Sequence, residues 1–184
     1  MKKVFILAIV VLGLGVAAGT ASATDLGLHG AYWDTKQAAR TFGFGAKLRF
    51  SFVELRATYF DDVTSDVEPE SADFEIKAYP LEGGIVIQFL KNSMVRPYVG
   101  GGVGYYLLDT NLGDIDDELG YYVVGGADIG APSSRVAFSI EGIYRNIEGS
   151  VRGELFDPDF DIEEDEVHLD LSGIGANAGV VFRF

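Results

Sequence analysis

The 184-residue chain has no cysteine, so neither a disulfide nor a thiolate metal site holds it together. Stability must come from hydrogen-bonded closure and packing. Its only histidines are His29 and His168, which leaves little for nucleophilic or acid–base catalysis. Neither begins a His-x-Ser arrangement, since Gly30-Ala31 follows His29 and Leu169-Asp170 follows His168. An enzyme is therefore not expected, and no cofactor is implied. Bases are scarce as well: 14 Lys and Arg stand against 28 Asp and Glu, for a formal net charge of −14. Nucleic acid rewards the opposite sign and is excluded as a partner.

Long apolar runs are missing beyond the N-terminus. Met1-Lys2-Lys3 is followed by 15 apolar or small residues from Val4 to Ala18, and then by Ala21-Ser22-Ala23. A short basic start, a short apolar run and a small-x-small site make a secretory signal peptide, cleaved after Ala23 with Ala21 and Ala23 flanking Ser22. A helical span needs about 20 apolar residues, and no later segment supplies them. If residues 24–184 lie in a membrane, they must do so as a closed barrel, which alone satisfies strand backbone groups in lipid.

What the chain does have is 24 glycines and period-two alternation. Every even position from Phe42 to Phe50 is apolar and every odd one is small, polar or charged. Val53 to Tyr59 repeats this, with Glu54, Arg56 and Thr58 on the other parity. Such alternation marks strands with one apolar face. Eight strands are expected, over 25–33, 41–50, 53–60, 74–89, 95–108, 120–130, 136–146 and 167–184. Tight connections near Ser51-Phe52, Leu90–Met94 and Ala131–Arg135 alternate with longer ones over Asp34–Arg40, Asp61–Asp73, Asp109–Leu119 and Ile147–Glu166. The last three of these hold twenty of the 28 acids. Short turns at one end and long loops at the other are the sequence signature of an outer-membrane barrel. The expected fold is all-β: an eight-stranded antiparallel transmembrane β-barrel, an up-and-down meander. A soluble periplasmic ligand-binding barrel is the competing architecture.

Tyrosines and the single tryptophan gather toward the long-loop ends (Tyr32, Trp33, Tyr59, Tyr105, Tyr106, Tyr121, Tyr122, Tyr144). Phenylalanines gather toward the turns (Phe50, Phe52, Phe89, Phe138, Phe182, Phe184). Both sets are expected as interfacial girdles. Two segments break phase. Phe74, Ile76 and Ala78 share one parity but Ile85, Ile87 and Phe89 the other, across Pro80 and Gly83-Gly84. Leu169 and Leu171 likewise give way to Ile174 across Ser172-Gly173. Either a bulge or a hairpin that continues above the membrane is expected at each place.

The stretch Arg96-Pro97-Tyr98-Val99-Gly100-Gly101-Gly102-Val103-Gly104-Tyr105-Tyr106 resembles a strand common in small porin-like and OmpA-like barrel proteins. The ending from Ile174 to Phe184 resembles the last strand of bacterial outer-membrane barrels. With the loop pattern, the chain resembles the small eight-stranded outer-membrane barrels of the OmpA transmembrane domain, OmpX and OmpW kind. That resemblance implies an integral outer-membrane protein with both termini in the periplasm. It also implies that Val180, Phe182 and Phe184 form a C-terminal signal read by the barrel-insertion machinery.

On this fold the non-lipid parity places Lys47, Arg49, Glu54, Arg56, Glu75, Lys77, Asp128, Glu141 and Arg145 inside the barrel. An eight-stranded barrel is just wide enough for side chains to fill. A buried charge left unpaired costs several kcal/mol, so these residues should pair. The glycines at 100, 101, 102 and 104 should leave room for interior tyrosines such as Tyr98 and Tyr106. The function expected is structural or surface-facing, through the acidic loops. The alternative is a narrow porin-like channel lined by Lys47, Arg49, Glu54, Arg56, Asp128 and Glu141. The run from Asp157 to Glu166 departs from an EF-hand loop, with Ile162 in place of the turn glycine. No stoichiometric metal site is expected there. Dense carboxylates facing lipopolysaccharide phosphates do call for weakly bound divalent cations between them. Outer-membrane lipid and lipopolysaccharide are thus the expected partners.

Overall fold

The computed structural model describes residues 24–35, 40–61, 76–110, 118–151 and 167–184. These fold into β1 (Thr24–Thr35), β2 (Thr41–Phe50), β3 (Val53–Phe60), β4 (Ile76–Gln88), β5 (Val95–Thr110), β6 (Glu118–Ile129), β7 (Val136–Val151), β8 (Val167–Asp170) and β9 (Gly173–Arg183). Each strand pairs antiparallel with its sequence neighbour from β1 to β7. β9 then joins β7 to β1 and closes the ring. Short β8 lies on the far end of β7, in the same register as β9, so the two make one barrel strand. The result is a closed eight-stranded up-and-down meander. Among the described residues there is no helix.

Three connections are tight. Ser51 and Phe52 alone join β2 to β3, and Ser51 takes the left-handed φ of 57° that a two-residue hairpin loop needs at its first position. Leu90 does the same, at 51°, in the β4–β5 turn. Thr24, Phe184 and all three turns lie at one end, the turn end. The opposite end is the loop end.

The outward face is the parity of Leu26 and Leu28 on β1, Phe42 and Phe44 on β2, Ile85 and Ile87 on β4, and Val99 and Val103 on β5. On β6, β7 and β9 it carries Val123, Phe138 and Ile140, and Ile174, Val180, Phe182 and Phe184, most of them exposed. Between the two ends no described outward position carries a charge. A water-facing sheet would carry polar residues there. This surface suits acyl chains.

Neither phase break is a bulge. β4 keeps a single register with β5 from Ile76 opposite Thr110 to Gln88 opposite Tyr98, without a slip at Pro80 or Gly83-Gly84. β8 and β9 keep one register with β7 across Leu171-Ser172. There the Leu171 N–H donates to the Ile147 carbonyl at 3.2 Å, and the Ser172 hydroxyl accepts from the Ile147 N–H at 3.0 Å. The phase breaks have another cause. Near the loop end the apolar residues Ala78 and Leu171 face inward, because the lumen there is itself apolar.

The aromatic expectation is corrected for the same reason. Tyr32, Tyr59, Tyr105, Tyr121 and Tyr144 face outward, but Trp33, Tyr106 and Tyr122 are buried in the lumen. The outward rings touch across strands: Tyr32 packs on Phe42 and Tyr59 on Phe44 and Tyr79, with centroids 5.1–5.3 Å apart.

Candidate functional site: the filled lumen

The turn-side half of the lumen is an ion network. The inward parity of β2, β3, β6 and β7 delivers Lys47, Arg49, Glu54, Arg56, Asp128, Glu141 and Arg145, all buried. Glu54 accepts from Arg49 at 2.9 Å and from Arg56 at 2.7 Å. Arg49 also reaches Asp128, at 3.2 Å. Glu141 accepts from Lys47, from Arg56 at 3.3 Å and from Asn177 at 3.0 Å. Lys47 further donates to Ser139 at 3.0 Å and to Tyr98 at 3.1 Å. Glu54 and Glu141 thus each serve two cations and Asp128 one, which offsets much of the desolvation that burial imposes.

Two buried charges of the lumen escaped the sequence reading. Glu82 takes a two-pronged contact from Arg145, at 2.7 and 3.2 Å, and a hydrogen bond from Tyr106 at 3.1 Å. Counting by twos back from Phe89 through Ile87 and Ile85 would have put Glu82 inside; the supposed bulge at Gly83-Gly84 hid it. Arg96, opposite Asp128 on the β5–β6 ladder, is also buried in the lumen.

Lys77 is a correction in the other direction. The unbroken register of β4 turns it outward, near the loop end, where it lies 3.5 Å from Asp61. Tyr59 also donates to Asp61, and that hydrogen bond, with Lys77 nearby, holds the Asp61 carboxyl below its usual range. Glu75, the cleavage residues Ala21 and Ala23, and the acidic run Asp157–Glu166 lie outside the described residues. Val180, Phe182 and Phe184 share the outward face of β9.

Glycine makes the network geometrically possible. Tyr98 lies opposite Gly126, which lies opposite Glu141, on three successive strands. A Cβ on Gly126 would come 2.9 Å from the Tyr98 ring, so only a glycine lets the ring lie along the wall and donate to Glu141. Tyr122 similarly stretches across Gly102 to Gly84, where a Cβ would meet its hydroxyl at 2.7 Å.

The loop-side half is an apolar layer. Ala31, Trp33, Phe60, Ala78, Tyr106, Leu108, Ile147 and Leu171 form one buried cluster. Trp33 and Phe60 pack with centroids 5.2 Å apart, and both are fully buried at 0% exposure. Arg145 joins the halves: its guanidinium pairs with Glu82 and stands 5.3 Å from the Trp33 ring and 5.8 Å from Phe60. Such stacking suits a planar, weakly hydrated cation.

Chemically the arrangement can hold itself shut and little more. Ser139, Lys47 and Tyr98 lie within hydrogen-bonding distance of one another. Lys47 is engaged by Glu141, and Ser139 is 3% exposed, so Lys47 is not a free base for this serine. Among the described residues no group of three His, Asp or Glu could hold a metal ion.

A closed eight-stranded meander with an apolar exterior and a packed, charged lumen is the outer-membrane type of β-barrel. Solved structures of bacterial outer-membrane proteins share the fold. The outer membrane protein OprG from Pseudomonas aeruginosa is 17% identical over 89% of this chain and 96% of its own, with a TM-score of 0.69. Neisserial surface protein A is 18% identical over 88% and 96%, with a TM-score of 0.59. The N-terminal β-barrel domain of Pseudomonas aeruginosa OprF is 13% identical over 89% and 98%, with a TM-score of 0.50. Identities this low speak to the fold alone. No protein-family model matches the sequence, and no curated protein sequence matches it.

Proposed function

We propose that this chain is an integral outer-membrane protein with a structural or surface-facing role, and that its lumen is a core and not a conduit. The observation that carries the reading is the double filling of the lumen. Glu54, Arg145, Trp33 and Phe60 are each at 0% exposure, so the middle of the ion network and the layer above it present none of these side chains to bulk solvent. A hydrated ion crossing the barrel would have to part Arg–carboxylate pairs and then a ring-packed apolar layer. Each step costs several kcal/mol. The residues that would line a channel, Lys47, Arg49, Glu54, Arg56, Asp128 and Glu141, are the same ones that pair across it.

Function then falls to the two ends and the outer face. The acidic loops meet lipopolysaccharide at the loop end, with divalent cations between carboxylates and phosphates. The outward face of the last strand presents Val180, Phe182 and Phe184 to the insertion machinery. Termini at the turn end are periplasmic on this reading. No catalytic role is assigned.

Planar-bilayer recording tests the central statement. The folded protein is expected to give no unitary conductance, and Trp33→Ala with Phe60→Ala is expected to give none while the ion network remains. Resolved openings from the unaltered barrel that change with charge reversal at Arg49 or Glu141 would overturn the reading in favour of the channel. Recovery of the processed chain as a soluble species after osmotic shock would overturn the membrane assignment itself.

A further inference from the structure

Two turns of one build stand side by side at the turn end. Val95 on β5 lies opposite Ile129 on β6, so the β4–β5 and β6–β7 turns leave their strands at one level. The Gly130 N–H donates to the Met94 carbonyl at 2.9 Å and ties them together. Each turn is closed by a bond across three residues. The Ser93 N–H donates to the Leu90 carbonyl at 2.8 Å, and the Ser134 N–H to the Ala131 carbonyl at 3.0 Å.

Their side chains are opposite in kind. The β6–β7 turn runs Ala131-Pro132-Ser133-Ser134-Arg135, with Ser133 and Arg135 exposed. The Ser134 hydroxyl there accepts from the Val136 N–H at 3.1 Å. The β4–β5 turn instead sets Leu90 and Met94 at its base, 67% and 63% exposed, beside the exposed Phe89 and Val95. Leu90 holds a left-handed φ of 51°, a conformation that suits glycine or asparagine and strains a leucine. In water, either of those residues would remove the strain and the bare apolar surface together. The four side chains carry the outward band of Ile85, Ile87 and Val99 past the strand ends. Phe52, in the neighbouring β2–β3 turn, is also exposed, and its carbonyl accepts from the Val86 N–H at 2.7 Å. Lys91, exposed and next to Leu90, is the one charged residue of the β4–β5 turn.

We infer that the β4–β5 turn is a lipid anchor and that the β6–β7 turn beside it stays in water. Phe89, Leu90, Met94 and Val95 form a collar below the phosphate level of the leaflet at the turn end, and Lys91 reaches back to the phosphates. Lipid is the occupant because the collar is continuous with the acyl-facing band, and because its single charge has the sign that phosphates attract. The barrel is thus immersed unevenly, deeper on its β4–β5 side. The inference rests on the outer-membrane reading and adds to it the depth of one turn.

The chain has no cysteine, so one introduced cysteine carries one nitroxide. Electron paramagnetic resonance of the processed protein in phosphatidylethanolamine–phosphatidylglycerol vesicles then compares collisions with oxygen, enriched in lipid, and with a water-soluble nickel chelate. Labels at Leu90→Cys and Met94→Cys should lie about 5–10 Å to the lipid side of the phosphates, the depth of interfacial apolar side chains. A label at Ser133→Cys should lie at the phosphates or to their water side. Equal water access at the three positions, or a Ser133→Cys label as deep as the other two, would overturn the anchor. Labels at 90 and 94 shielded from oxygen and nickel alike, and released on dilution with unlabelled protein, would give the collar to a second copy and overturn the lipid. Leu90→Asn with Met94→Ser should move a label at Asn92→Cys toward water, relative to Asn92→Cys alone. Asparagine suits the left-handed φ, so a broken turn would not explain that shift, and its absence would overturn the collar's role. Heat-modifiable gel migration checks that each variant is folded. A label at Val99→Cys that meets water counts against the outer-membrane reading; one that meets only oxygen, with 90 and 94 in water, counts against the anchor alone.

Discussion

The turn-side and loop-side halves of the lumen are filled by opposite chemistries on the same strands. β3 supplies Glu54 and Arg56 to the first and Phe60 to the second, and β7 supplies Glu141 and then Ile147. The ion network sets geometry: Glu54, Glu82 and Glu141 each accept only from donors that one register brings into reach. The apolar layer is directionless and gains its stability from area removed from water, about 25 cal/mol per Å². A buried ion pair comes out near break-even against an apolar replacement, yet losing one partner is severe. The network thus specifies the barrel's register, while the layer above it stabilises and seals.

Substitutions that distinguish the halves fall in a clear order. Glu141→Ala strands Lys47 and takes one of its carboxylates from Arg56, which keeps Glu54, and should cost about 3–5 kcal/mol. Denaturant unfolding in detergent, followed by heat-modifiable migration, measures it; a loss under 1 kcal/mol would show that water reaches the network. Phe60→Ala opens a cavity in the apolar layer and should cost about 3 kcal/mol in the same assay. Gly126→Ala puts a methyl against the Tyr98 ring and the Ile140 carbonyl. It should cost about 1–3 kcal/mol, and Tyr98→Ala in the same chain should relieve part of that loss. Replacing both members of one pair, Glu82→Gln with Arg145→Met, should stay within about 1 kcal/mol of the parent, although either change alone costs more. Additive single losses would break the comparison between halves. Lys77→Ala removes an exposed pair with Asp61 and should shift the midpoint by less than about 0.5 kcal/mol.

Strand existence, turn positions and the outward face were legible from residues alone. Phe42 to Phe50 alternate without exception and Ile174 to Phe184 do so but for Val181, and period two admits one reading for them. The inward set was harder. Lys47, Arg49, Glu54, Arg56, Asp128, Glu141 and Arg145 followed from the same alternation, because charge opposite an apolar face must point away from lipid. Glu82 was missed and Lys77 was placed inside on the premise that inward residues are polar throughout. Ala78 and Leu171 violate it, so a straight strand looked bulged and one parity was exchanged for the other above Pro80.

Alternation by itself determined which residues share a face, because side chains on an extended backbone must point alternately to opposite sides. It also determined that the wall has eight spans joined by alternating tight and long connections. Only the closed tertiary structure decided which partners meet across the lumen and where its filling changes from ions to rings. Those depend on strands distant in sequence being brought into one register, and on a cross-section too narrow to leave any of the facing side chains unpacked.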